Sequence, residues 1–129
     1  MANMFPFETT KYSTALLSNI ENATGILTSL EYPSKDVKKM SFPFAVAKIS
    51  CRPSGYAFNA QVFALTATVT ITTYNKKIAS TQDSCDLMDV AMNMLGFEEE
   101  SRTTVDRNGD NFYFITTRYS KILNQKEVL

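Results

Sequence analysis

Residues 63–72 alternate strictly: Phe63, Leu65, Ala67, Val69 and Ile71 take one side of an extended chain, and Ala64, Thr66, Thr68, Thr70 and Thr72 take the other. Successive side chains of a strand point to opposite faces, so this period of two predicts a long half-buried strand over about 61–75. Such a strand needs a partner layer against its apolar side. The threonine side is expected to meet water or a polar neighbour.

Helical spacing on either side of that strand supplies the layer. Tyr12, Leu16, Ile20, Ala23, Leu27 and Leu30 recur in steps of three and four and predict a first helix over about 8–30. Its solvated side is expected to carry Lys11, Ser13, Asn19, Glu21 and Asn22. Tyr32-Pro33-Ser34 ends it, since proline cannot continue a helix. After the charged connector of Lys35 to Lys39, a strand is predicted over about 42–52, with Pro43 near its start and Pro53-Ser54-Gly55 breaking it. Ser80-Thr81-Gln82-Asp83 is close to a capping box, and Cys85, Met88, Ala91, Met92 and Leu95 follow at helical spacing. The second helix is therefore placed at about 80–95, with Gly96 at positive φ after it.

Two extended runs, 97–105 and 112–121, are joined through Asp106-Arg107-Asn108-Gly109-Asp110, and Asn-Gly is a strong hairpin signal. The first run is mostly polar and is placed at a sheet edge. The tail, 124–129, is expected to fray. The predicted fold is α+β, a single domain over 1–129 in the order α-β-β-α-β-β. Two helices pack on one face of a mainly antiparallel four-stranded sheet.

Chemistry is constrained by what the chain lacks. It has no histidine, which removes the commonest general base and metal ligand and the Ser-His and Cys-His nucleophile pairs. Cys51 and Cys85 are too few for a disulfide scaffold or a four-ligand zinc site and are read as free thiols of a reducing compartment. Four unclustered glycines exclude a P-loop or dinucleotide fingerprint. No cofactor, metal or catalytic residue is expected. Thirteen basic and thirteen acidic residues give zero formal charge, so protein partners are favoured over phosphates or lipids. The start carries no signal-peptide pattern and no stretch approaches the ~20 apolar residues that span a bilayer, so a soluble chain is expected.

Several patterns admit a bland and a sharp reading. Asp83, Asp86 and Asp89 could face a hard cation, but acids in the first turns of a helix favour its dipole. Asp106, Asn108 and Asp110 imitate a calcium loop, yet Asn111 stands where glycine is needed and Thr117 where glutamate is needed. Lys35, Lys38 and Lys39 read as a solvated loop. Phe112, Tyr113 and Phe114 beside Arg118 could stack bases, although consecutive aromatics of a half-buried strand are mostly core. Met88, Met92 and Met94 read as packing, and Glu98-Glu99-Glu100 as a charged edge.

From Thr66 to Tyr119 the chain resembles the tail terminator and tail-completion proteins of long-tailed bacteriophages. A Thr/Val-rich strand leads into Tyr74-Asn75-Lys76-Lys77, then a helix ending Met94-Leu95-Gly96-Phe97. A polar strand and hairpin follow, closing with Thr117-Arg118-Tyr119. The first helix and the strand around 44–52 agree in order. The resemblance implies a structural protein of the virion's tail-neck region, made in the host cytoplasm. It would form a ring, usually a hexamer, that caps the head-proximal end of the tail tube and stops its polymerisation. Its partners would be further copies of itself, the tail tube protein and a head-completion protein, with genomic DNA passing through the lumen. A head-completion or stopper protein of the same neck is an open alternative. So are a small nucleic-acid-binding α+β module and an enzyme subunit whose site is shared between chains.

Contacts with neighbours are expected from loops carried on the sheet. The candidates are Tyr56, Phe58 and Asn59 after the first strand, and Asp106, Arg107, Asn108, Gly109 and Asp110 in the hairpin. Tyr56 and Phe58 are aromatics in a short loop, typical of interface anchors, or else they fold back over the end of the core.

Overall fold

The computed structural model describes residues 9–30, 42–56, 62–108 and 112–124. Helix α1 (Thr9–Thr24) is followed by strands β1 (Leu27–Ser29), β2 (Phe44–Tyr56) and β3 (Val62–Asn75). Helix α2 (Ile78–Met94) then leads to β4 (Glu98–Arg102), β5 (Asp106–Asn108) and β6 (Phe112–Asn124). Among the described residues the fold is α+β, with two helices and a six-stranded mixed sheet in the order β1-β2-β3-β6-β4, β5 also pairing with β6. All pairings are antiparallel except β1 with β2.

The sequence reading of four strands is thus corrected to six. The added strands, β1 and β5, are each three residues long, too short to show a period. Helical spacing reaches into β1 because Leu27 and Leu30 continue that of the first helix. Gly25 stops α1 instead, at φ +72°, where a side chain would be strained. Its N–H donates to the Glu21 carbonyl at 2.7 Å. The Thr24 hydroxyl donates to the Ile20 carbonyl and accepts from the Ile26 N–H, and the Thr28 N–H donates to the Glu21 carboxylate at 3.0 Å. These bonds turn the chain into β1 and leave Leu27 and Leu30 exposed. Ser13, expected on the solvated side, is buried, because it lies one turn before Leu16 on the face that packs.

α2 begins at Ile78, two residues before the expected cap. Lys77 is extended and makes no side-chain cap bond, and the Thr81 hydroxyl donates back to the Lys77 carbonyl at 2.7 Å. Ser80 and Asp83 therefore sit inside the helix. The Asn75 amide donates to Ser84 Oγ at 3.1 Å and ties the entry of α2 to the end of β3. Gly96, at φ +90°, closes the helix as its position predicts.

Register puts odd-numbered residues of β2, β3 and β6 on one face: Ala47 pairs with Ile71, and Ile71 with Thr117. Both helices pack there. Leu16 and Ile20 of α1 and Met88 and Met92 of α2 meet Leu65, Ala67, Val69 and Ile71, with Ala45, Ala47, Phe97, Tyr119 and Leu123 completing the core. The expected contact of the helices with Leu65, Val69 and Ile71 holds; the side chain of Phe63 lies outside the described residues. β4 occupies the edge its polarity predicts, with every residue exposed.

Candidate interaction surface

The even-numbered face has no helix on it among the described residues. Across it run Lys48, Ser50 and Arg52 of β2, Thr66, Thr68, Thr70 and Thr72 of β3, and Thr116, Arg118, Ser120 and Ile122 of β6, paired in register. Its centre is a field of short hydroxyls, which can be left wet at little cost because water satisfies them. Thr72 and Thr116 stand opposite each other with their hydroxyl oxygens 3.2 Å apart. Arg118 Nε donates to Glu100 Oε1 at 3.0 Å across the β4–β6 pair. Lys48 and Arg52 are exposed on the β2 side.

One end of this face is aromatic. Phe44 stacks on Tyr74 at 4.7 Å between centroids, Phe42 and Phe112 pack at 5.5 Å, and Tyr74 contacts Phe112 and Phe114. The expectation that Phe112 and Phe114 are mostly core is met by this second, smaller cluster, on the side away from the helices. Phe44 is wholly buried and Phe112 nearly so, each packed on Phe42 and Tyr74, so neither ring is open to a base.

A separate polar group forms where α2 meets β4. Arg102 bonds Asp86 at 3.0 Å and Glu99 at 2.9 Å and lies 3.7 Å from Asp89. Partial burial works against its charge, but the hydrogen bonds it donates to Asp86 and Glu99 prevail and hold the guanidinium protonated well above its ordinary value. Two of the three helix acids read as possible cation ligands are thus engaged by arginine. No group of three or more acidic, cysteine or histidine side chains among the described residues could hold a metal ion. Beneath Arg102 the fold buries Cys85, Thr117 and Tyr119. Among the described residues nothing lies within hydrogen-bond reach of the Tyr119 hydroxyl. The sequence reading missed this group because Arg102 stands in a polar run with no spacing that ties it to α2. Both cysteines are free, as expected.

The loop residues expected to touch neighbours are placed only in part. Tyr56 ends β2 opposite Val62, in strand and not in loop, past register shifts between Pro53 and Tyr56. Asp106, Arg107 and Asn108 are not turn residues either: they form β5, opposite Phe114, Tyr113 and Phe112. An Asn-Gly pattern marks a turn but not where pairing stops, so these three residues read as turn and pair as strand. Phe58, Asn59, Gly109 and Asp110 lie outside the described residues, as do Lys35, Lys38, Lys39 and 125–129 of the expected tail, whose first residue, Asn124, instead ends β6. Met88 and Met92 are core, as expected, whereas Met94 is 81% exposed. It points away from the sheet at the last turn of α2.

No helix of the described residues is long and apolar enough to cross a membrane. Models of known protein families do not match the chain, and a search of curated proteins finds no match.

Proposed function

We propose that the chain is a structural subunit of the neck of a tailed bacteriophage. It is a tail terminator whose ring, of hexameric type, caps the head-proximal end of the tail tube, stops polymerisation and joins tail to head. It works by assembly and not by catalysis. Its partners are further copies of itself, the tail tube protein and a head-completion protein, and genomic DNA passes through the ring without being gripped.

The observation that carries the reading, beside the sequence resemblance, is the one-sided layering of the fold. Both helices cover one face of the sheet, while the other offers a broad wall of threonine and serine flanked by a few charges. A wall of neutral hydroxyls makes few of the cationic phosphate contacts that dominate nucleic-acid affinity, and so suits a surface along which DNA slides. The charged and apolar features at its borders suit contact with protein.

Electron microscopy of virions with a gold-labelled antibody against the chain tests the reading. Label at the junction of head and tail is the expected result. Label at the distal tail tip, or on no part of the particle, overturns it. Label that stays with isolated heads after tails are removed moves the protein to the stopper position of the same neck.

A further inference from the structure

We infer that the partner on this sheet is a second copy of the chain, and that the β4 edge of one copy pairs with the β2 edge of the next so that one sheet runs through both. The inference deepens the ring reading and rests on it for closure.

Two open edges are the starting point. β1 pairs only with Phe44 to Val46 of β2, and beyond Val46 no described strand lies beside β2 on that side. Among the described residues, 47–52 therefore present an unpartnered row of backbone donors and acceptors, up to Pro53, which has no N–H to offer. At the far side of the sheet, β4 is five residues long and no described strand lies on its outer side. The two stretches match closely in length.

Direction and face also match. Antiparallel pairing of β2 with β3, of β3 with β6 and of β6 with β4 leaves β2 and β4 running in opposite directions. A neighbour set beside the sheet without being turned over thus meets it antiparallel, with helices on the same side in both copies. That arrangement is head-to-tail, the kind that closes into a ring.

Charge selects this pairing over the others. Glu98 pairs with Ser120, which puts it on the even, helix-free face, and Glu100 reaches Arg118 on that face. Lys48 and Arg52 lie on the same face at the other edge, opposite Thr70 and Thr66. Among the described residues Lys48, Arg52 and Glu98 form no ion pair, and all three are exposed. On the helix-free face, pairing β4 with β4 sets glutamates against glutamates, Arg102 lying on the other face opposite Thr117, and pairing β2 with β2 sets cations against cations. Only β4 against β2 brings opposite charges together across one face.

The test is sedimentation velocity of the full chain over a range of concentrations, with the fold checked by circular dichroism. The wild type is expected to self-associate. Glu98→Lys and Lys48→Glu should each weaken association about tenfold or more, since each faces a like charge on its neighbour. Mixing the two variants in equal amounts should restore it to within about threefold of wild type, because every interface then joins opposite charges again. Single variants that assemble like the wild type, a mixture that stays dissociated, or a wild type that is monomeric to its solubility limit each overturn the edge pairing. Neck labelling of virions is read independently. Label at the neck with failed charge swaps discards the edge and keeps the ring reading, whereas successful swaps with no label on virions keep the pairing and discard the neck.

Discussion

Cys85 Sγ on α2 lies 3.4 Å from Thr117 Oγ1 on β6, a polar contact sealed between helix and sheet. Burial pushes the Cys85 thiol above its ordinary 9.0, against the pull of the Thr117 hydrogen bond. Burial likewise raises the Tyr119 phenol above its ordinary 10.0, with Asp89 adding to the effect. Both groups are neutral when protonated and stay protonated longer in the folded chain. Below the unfolded values the two states bind equal protons and full stability is present. Above them the unfolded chain ionises first, so stability falls as pH rises. Urea unfolding should therefore show no contribution from these groups up to about pH 8 and a decline from about pH 9 upward. Cys85→Ala should remove its share of the first part of the decline, leaving that of half-buried Cys51, whose thiol is raised by the same cause. Tyr119→Phe should remove the part above about pH 10. A profile unchanged in both variants contradicts the assignment.

Arg102 joins α2 to β4 through Asp86 and Glu99, with Asp89 close by, but its partners are largely solvated: the Asp86 side chain is 68% exposed. Screening by water limits what such pairs contribute, so Arg102→Met should cost only about 1 kcal/mol at low salt. The difference should shrink further at about 0.5 M salt, where the Debye length is a few ångströms. Denaturation midpoints of both proteins at two ionic strengths check this. A loss that ignores salt would show that the short-range hydrogen bonds of the guanidinium, and not screened charge, are what matter.

Ile20 and Met92 are both wholly buried and face the sheet from different helices. Truncating either to alanine should cost about 2–5 kcal/mol, from lost burial and the cavity left behind. Thr68→Ala, on the helix-free face, should change stability by less than about 0.5 kcal/mol. Chemical denaturation of the three variants measures the contrast. Equal losses at Thr68 and Ile20 would mean that the threonine face is covered in the free chain.

The long strand, both helices, the polar edge at β4 and the positive φ of Gly96 were legible because each rests on local chemistry. A period of two or of three to four, a charge run and a glycine after a helix are written in consecutive residues. The threonine face was legible for the same reason, and among the described residues no helix lies on it, as its polarity suggests.

What the sequence by itself determined, then, is which residues share a face and roughly where helices and strands lie. Tertiary structure decided the rest. It stopped α1 at Gly25 although Leu27 and Leu30 keep the helical rhythm, because bonds from Thr24 and Glu21 satisfy the freed backbone and send the chain to pair with β2. It moved Asp106 to Asn108 from turn to strand, because pairing along β6 fixes where a hairpin ends. It brought Arg102 to Asp86, sixteen positions earlier in the chain, and placed Cys85 against Thr117. Sheet order is equally beyond local reading. β6 inserts between β3 and β4, and that insertion sets Lys48 and Arg52 at one border and Glu98 at the other. Periodicity reports the environment on either side of a segment, whereas strand order and edge exposure depend on which distant segments meet, a choice made by the packing energy of the whole chain.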